Sequence, residues 1–256
     1  MPIKLFDLVP QPSGVFFSPS CLRTRLALIH KQLPFEVEEV TYHDLRFIWK
    51  DRLEVQKATT PIIQREDGSY LMDSDKIAAY LDKEYPDRPN LFIPEAIAPV
   101  DLVSAGYSQA KQAAADYHAH MTPHRSVWGI FAPLMAKLFD GETRAYWTSD
   151  ARLGEGVWAK VSSRTEQERA EIVKQLHERI KEATADKLAN GNLFFTSPSK
   201  PGYTDFYVLS DYRLLRSVSP KLAYDVYEAD ERCAAWLERM KQAYPMPEVW
   251  ERDPKE

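Results

Sequence analysis

The sequence predicts an α/β domain followed by an all-helical one. Three observations carry this prediction. Residues 3–85 alternate strand-like and helix-like runs, four prolines crowd the stretch "YPDRPNLFIPEAIAP", and beyond it apolar residues recur only at helical spacing. We place the boundaries at 1–88, a linker at 89–99, and 100–256. A chain of 256 residues that is 44% hydrophobic has material for one large or two modest cores.

"IKLFDL" sets Ile3 and Leu5 against outward Lys4 and Phe6 and runs into the Pro- and Gly-bearing "VPQPSG", a strand entering a loop. A helix starts at Ser18, with Pro19 at its first position, where the missing N–H costs nothing, and with Leu22, Leu26 and Ile29 on its apolar side. "LPFEVEEV" alternates as a strand, Phe35 and Val37 opposing Glu36 and Glu38. "HDLRFIWKDRLEVQK" has no clean period and reads as irregular with helical turns. "PIIQREDGSYLM" is a hairpin about Asp67-Gly68, a dipeptide suited to positive φ. In "DSDKIAAYLDKEY" a helix carries Ile77, Leu81 and Tyr85, with Asp73 or Ser74 as N-cap. The order βαβαββα is that of a thioredoxin-like domain.

In the second half, Tyr107, Ala110, Ala114 and Tyr117 share one helical face. "SRTE" at Ser163 to Glu166 is a capping box for a helix through Val173, Leu176, Ile180 and Ala183. Another helix begins near Asp205 with Val208, Leu209 and Tyr212, and a last one runs through Val226, Cys233, Trp236, Leu237 and Met240.

The net charge of -5 argues against a nucleic-acid partner, which needs clustered Lys and Arg, but leaves room for a small acidic ligand at a local basic spot. No stretch approaches the ~18 apolar residues of a membrane span, and "MPIKLFDLVP" lacks a signal-peptide layout, so the expected location is cytoplasmic. Two cysteines, Cys21 and Cys233, are too few for a disulfide framework and fit a reducing compartment.

In a thioredoxin-like layout the first strand delivers a side chain to the N-terminus of the first helix, and a cis-proline opens the third strand close by. Ser18 and Thr60-Pro61 occupy these places. Free backbone groups before such a proline can bind an extended γ-glutamyl tripeptide, whose carboxylate suits the next helix N-terminus, at Asp73-Ser74.

On "IKLFDL", "SPSCLRTRLALIHK", "TTPIIQREDGSYLMDSDKIAAYLDKEYPDRP" and the helical second half, the chain resembles the glutathione S-transferases, and within them the bacterial lignin β-etherases and their fungal etherase-like relatives. The resemblance implies glutathione as co-substrate. Ser18 would be the catalytic serine, hydrogen-bonding the glutathione sulfur; the Thr60 main chain would pair with the cysteinyl unit; Pro61 would be cis; and Asp73 and Ser74 would hold the γ-glutamyl end. The glycine carboxylate needs a cation, assigned to Lys57 from among Lys50, Arg52 and Lys57. Phe16, Phe17, Tyr107, Tyr117 and Trp128 are candidates for an apolar acceptor pocket between the domains, expected to take hydrophobic aromatic electrophiles such as lignin-derived aryl ethers or other phenolics. The resemblance further implies detoxification chemistry in a homodimer, with a ligandin-type binder of wood-derived phenolics as the alternative. Gly202 stands three before Asp205, where family members often carry the Ser or Thr of a capping box, so a weakened cap is expected.

"SPSC" reads as a Cys-Pro-x-Cys redox pair whose first cysteine is Ser18. A hydroxyl cannot form the mixed disulfide, but it can donate to a thiolate. Lowering a thiol pKa by ~2 units takes about 2.7 kcal/mol. A helix N-terminus at roughly 0.3 to 2 kcal/mol and a hydrogen bond to a charged acceptor at roughly 1.5 to 3 kcal/mol can supply it. Ser18 as a plain N-cap is the competing reading, because Ser-Pro opens many helices.

A Ser-His hydrolase is disfavoured. At ~1.5 Å per residue His30 would lie about 18 Å along the same helix, and no G-x-S-x-G elbow is present. No metal site is expected, since His118, His120 and His124 in "HAHMTPH" alternate faces around Pro123. "GEGVWA" follows no strand and is a chance match to a dinucleotide fingerprint.

Overall fold

A computed structural model describes residues 2–12, 14–95, 100–121 and 126–245, with side chains omitted for 100–105, 118, 126 and 127. The first part holds a four-stranded sheet, β1 (Ile3–Leu8), β2 (Phe35–Val40), β3 (Ile62–Gln64) and β4 (Tyr70–Met72), in the order β2-β1-β3-β4. β1 and β2 are parallel, with Leu5 opposite Val37. The β1/β3 and β3/β4 pairs are antiparallel, Leu5 facing Ile63 and Ile63 facing Leu71. Helices α1 (Pro19–His30) and α4 (Ser74–Glu84) pack together. Between β2 and β3 run α2 (Tyr42–Asp44), a π-helical turn (Leu45–Trp49) and α3 (Lys50–Arg52), opened by a reciprocal Thr41–Asp44 capping box. The irregular helical reading of this stretch is therefore a continuous helical segment whose π turn breaks the 3.6-residue period.

Phe6 corrects the expected alternation of β1. It is buried, its ring 4.4 Å from Trp49, because the helical segment 42–52 covers the sheet face to which Phe6 points. Asp7, also fully buried, pairs with Arg25 of α1. A central strand covered on both faces has no solvent side to alternate with.

The second part is helical: α5 (Val100–Met121), α6 (Ser126–Met135), α7 (Gly141–Trp147), α8 (Asp150–Leu153), α9 (Val157–Ser162), α10 (Glu166–Lys187), α11 (Tyr203–Arg216), α12 (Pro220–Ala223) and α13 (Glu231–Ala243). The protein thus combines a thioredoxin-like sheet domain with a helical region. α11 packs along α1, so residues 21–28 of α1 are buried all round, arginines included.

Three helix starts differ from expectation. α10 is capped by Thr165 with Glu168, not by Ser163 with Glu166; both pairs satisfy the same spacing, but Ser163 already ends α9. Val226 lies in a separate π-helical turn (Tyr224–Glu228), because Asp230 caps a new helix, α13. At α11 the glycine does not weaken the cap. Thr196 Oγ1 accepts from the Asp205 N–H at 3.3 Å, while Asp205 accepts from Gly202, Phe195 and Thr196 N–H groups and from Trp236 Nε1. A Cβ at Gly202 would come within 2.7 Å of the Thr196 methyl carbon, so the space for a local capping side chain is filled from the preceding loop.

Candidate active site

Ser18 is the N-cap of α1, in extended conformation before Pro19, and its Oγ accepts the Cys21 N–H at 3.3 Å. A hydroxyl has two acceptor lone pairs and one donor hydrogen. Capping uses an acceptor and leaves the donor, so cap and donor are compatible roles. Ser18 is half-buried and opens on a cleft of about 620 Å³. Ser20, two residues on, is not on the cleft; its Oγ accepts from Arg23 Nη2 at 2.9 Å.

Cys21 is fully buried between Ser18 and Thr60. Burial, with Asp7 adding repulsion, pushes its thiol far above the ordinary range, against hydrogen bonds from Ser18 and Thr60 that lower it. It remains a protonated thiol and does not compete for the Ser18 proton as a thiolate would.

Thr60 lines the cleft, and the Thr60–Pro61 bond is cis. The β-ladder starts at Ile62, which leaves the Thr60 main chain outside it. Pro61 is buried, and its carbonyl accepts the Asp73 N–H at 3.3 Å. Asp73 is exposed, caps α4 by accepting from Asp75 and Lys76 N–H groups, and holds φ at +89°, a conformation costly for a residue with a Cβ. Ser74 is buried. Its Oγ accepts from Arg23 Nη2 at 3.5 Å, and its carbonyl lies 3.1 Å from the Tyr203 hydroxyl. Arg23 in turn sits 4.1 Å over the Tyr207 ring, and Tyr207 donates to Asp75 at 2.8 Å.

Of the residues expected at the site, the cleft brings together Ser18, Thr60 and Lys57; Pro61, Asp73 and Ser74 adjoin it without lining it. Lys50 lines the cleft as well, whereas Arg52 lies over the Trp49 ring and does not. The aromatic candidates are dispersed. Phe16 is buried under the Arg25 guanidinium, and Phe17 packs edge-on to Phe139, which backs Tyr42 of the cleft wall. Tyr107 meets Phe92 edge-on under Lys111, and Tyr117 is in the helical core, its hydroxyl 3.3 Å from that of Tyr227. None of these four lines the larger Ser18 cleft, although Phe16 and Phe17 share a small hollow with Ser18 on its other side. Trp128 lines a neighbouring hollow of about 420 Å³ that shares Lys57 and Arg152 with it.

Arg46 and Arg152 complete the cleft and carried no sequence signal beyond their charge. The Thr41-x-x-Asp44 box could have placed Arg46 on a helix; nothing local marks Arg152. Burial pushes the Tyr42 phenol up, opposed by the Arg152 charge and hydrogen bond beside it. Among the described residues no group of three or more His, Cys, Asp or Glu could hold a metal. The His118 side chain and His124 lie outside those residues. Nor, among them, is any helix long and apolar enough to cross a membrane.

Comparison with known proteins follows the same geometry. Residues 17–84 match the family model described as glutathione S-transferase, N-terminal domain. A glutathione S-transferase of Ceriporiopsis subvermispora, solved in complex with glutathione, superposes with a TM-score of 0.73 at 19% identity, covering 96% of this chain and 99% of that one. A glutathione transferase of Phanerochaete chrysosporium gives 0.70 at 22% identity over 96% and 99%. The Tau-class enzyme of mango, Mangifera indica, gives 0.61 at 20% over 98% and 96%. Residues 17–84 therefore match the glutathione S-transferase N-terminal domain, and the chain as a whole has the fold of these solved glutathione transferases.

Proposed function

We propose that the protein is a glutathione transferase in which the Ser18 hydroxyl stabilises the glutathione thiolate for attack on an aromatic electrophile. The observation that carries this reading is the Ser18 Oγ, which lines a cleft beside the cis Thr60–Pro61 bond and whose cap bond uses an acceptor, the O–H meeting only the protonated Cys21 thiol, an acceptor weaker than a thiolate. The glutathione-bound relative with this fold supports it.

In this reading the Thr60 main chain pairs with the cysteinyl unit, Asp73 and Ser74 take the γ-glutamyl end, and Lys57 with Lys50 takes the glycine carboxylate. The thiol proton leaves to solvent, and Ser18 donates to the resulting thiolate. Sulfur then bonds to the electrophilic carbon. In an aryl ether of the etherase type, the C–O pair departs with the aryloxide, which takes a proton from water. The reading carries with it domains at 1–88 and 100–256, a cytoplasmic location, and a homodimer, which sedimentation velocity tests.

Calorimetric titration with glutathione, followed by conjugation assays on a chromogenic aryl halide and a β-aryl ether, tests the function. Binding with turnover is expected. Tight phenolic binding without turnover of either electrophile would instead make the protein a ligandin-type binder.

A further inference from the structure

Glutathione accounts for only part of the cleft's charge. Four cations line it, Arg46, Lys50, Lys57 and Arg152, with no carboxylate among the described lining residues, on a chain of net charge -5. Glu142 approaches Arg46 at 3.7 Å, but it is 67% exposed on the rim, where an ion pair is weak. The glycine carboxylate and the thiolate of glutathione are two negative charges, which Lys50 and Lys57 can balance. Arg46, in the Leu45–Trp49 turn of the sheet domain, and Arg152, in the helical region, remain.

Both arginines are mounted on aromatic rings. The Arg46 guanidinium lies 4.2 Å from the Tyr146 ring centre, and that of Arg152 4.9 Å from Trp147, with one N–H donated to the Trp147 carbonyl at 3.1 Å and another directed at the Tyr42 hydroxyl. Stacking covers the faces of a guanidinium and leaves edge N–H groups for a planar acceptor, the geometry that suits a carboxylate. Arg152 also stands between the main cleft and the hollow walled by Trp128, so a cation and an aromatic surface occur side by side where the helical region meets Ser18.

We propose that the acceptor substrate is an aromatic carboxylate, its carboxylate held by Arg152 with Arg46 and its ring directed along the Trp128 hollow. This rests on the transferase reading and revises it in one respect: the acceptor is an anionic aromatic, not a purely hydrophobic one. The cleft then favours the acid over its neutral ester.

The test needs no turnover. Calorimetry measures Kd for 3-nitrobenzoate and methyl 3-nitrobenzoate with wild type, Arg152→Gln and Arg152→Lys, each also titrated with glutathione. The acid is expected to bind more tightly than the ester in wild type. Arg152→Gln should cut that preference about 10- to 100-fold, as for loss of one hydrogen bond to a charged group. Arg152→Lys should restore part of it. If the Gln variant does not fold, wild type in rising salt serves, because only the acid should weaken as charge is screened. Equal Kd values for acid and ester, or a preference indifferent to both salt and Arg152→Gln, overturn the proposal. Failure of glutathione to bind overturns the transferase reading separately, since the acid–ester comparison is read on its own.

Discussion

The two ends of α1 carry polar side chains and use them in opposite ways. At its C-terminal end His30 Nε2 donates to the Asn90 carbonyl at 2.9 Å and Nδ1 meets the Tyr244 hydroxyl at 2.7 Å. Lys31, buried, pairs with Asp82 at 2.7 Å and donates to the Tyr85 carbonyl at 3.0 Å. Every polar atom there is answered from inside the protein: Lys31 clamps α1 to α4 and its end, and His30 ties α1 to Tyr244 of the helical region. At the N-terminal end Ser18 has an acceptor answered by the Cys21 N–H, while its O–H meets only the protonated Cys21 thiol, a weak acceptor, at the edge of a cleft. Polarity alone does not mark a functional residue; what marks it is a hydrogen-bonding group that folding engages only weakly beside a cleft.

The largest effect should come from breaking the clamp. Asp82→Ala leaves Lys31 buried beside no carboxylate, and urea denaturation should show a loss of about 3–5 kcal/mol. A loss below about 1 kcal/mol, the value of an exposed pair, would mean that Lys31 reaches solvent and the closed end is not closed.

His30 gives the next effect, through pH. Burial lowers its pKa from 6.5 to about 4, so between these values the unfolded chain binds more protons than the folded one. Stability is then full above pH 6.5 and falls as pH drops towards 4, by up to about 3 kcal/mol. His30→Gln should remove that slope from the pH dependence of chemical unfolding; an unchanged slope would assign it to other groups.

A third test compares two helix starts, one capped locally by Ser18 and one capped from a distance by Thr196. Gly202→Ser restores the familiar sequence pattern, yet it should destabilise by about 1–3 kcal/mol through overpacking against Thr196. Thr196→Ala should relieve this in the double variant. A stabilised single variant would contradict the long-range cap.

Ser18→Ala is the smallest of these in stability, about 1 kcal/mol for a lost N-cap, by thermal or urea unfolding.

What could be read in the sequence is what local chemistry dictates. Ser18-Pro19, Asp67-Gly68, Thr60-Pro61 and the Asp73 cap are set by residues within a few positions of one another, and the thioredoxin-like order followed from them. What depends on distant segments was not legible. Phe6 is buried by a helical stretch whose π turn hides its period, and Thr196 reaches α11 across a loop. Arg46, Arg152 and Trp128 come from three separate segments that only tertiary packing joins. The same limit applies to the aromatic acceptor candidates: helical spacing identifies an apolar face, and Tyr117 turns that face to the core.

For Ser18 to serve glutathione, its O–H must turn from the protonated Cys21 thiol, a weak acceptor, to the ligand's thiolate. This role is tested most directly by ultraviolet absorbance of glutathione bound to wild type and to Ser18→Ala, titrated with pH. In wild type the bound thiol pKa should be lowered by about 2 units, and in the variant it should return most of the way to its solution value, with glutathione still bound. A bound thiol whose pKa is the same in both proteins would contradict this role and leave Ser18 as the cap of α1 alone.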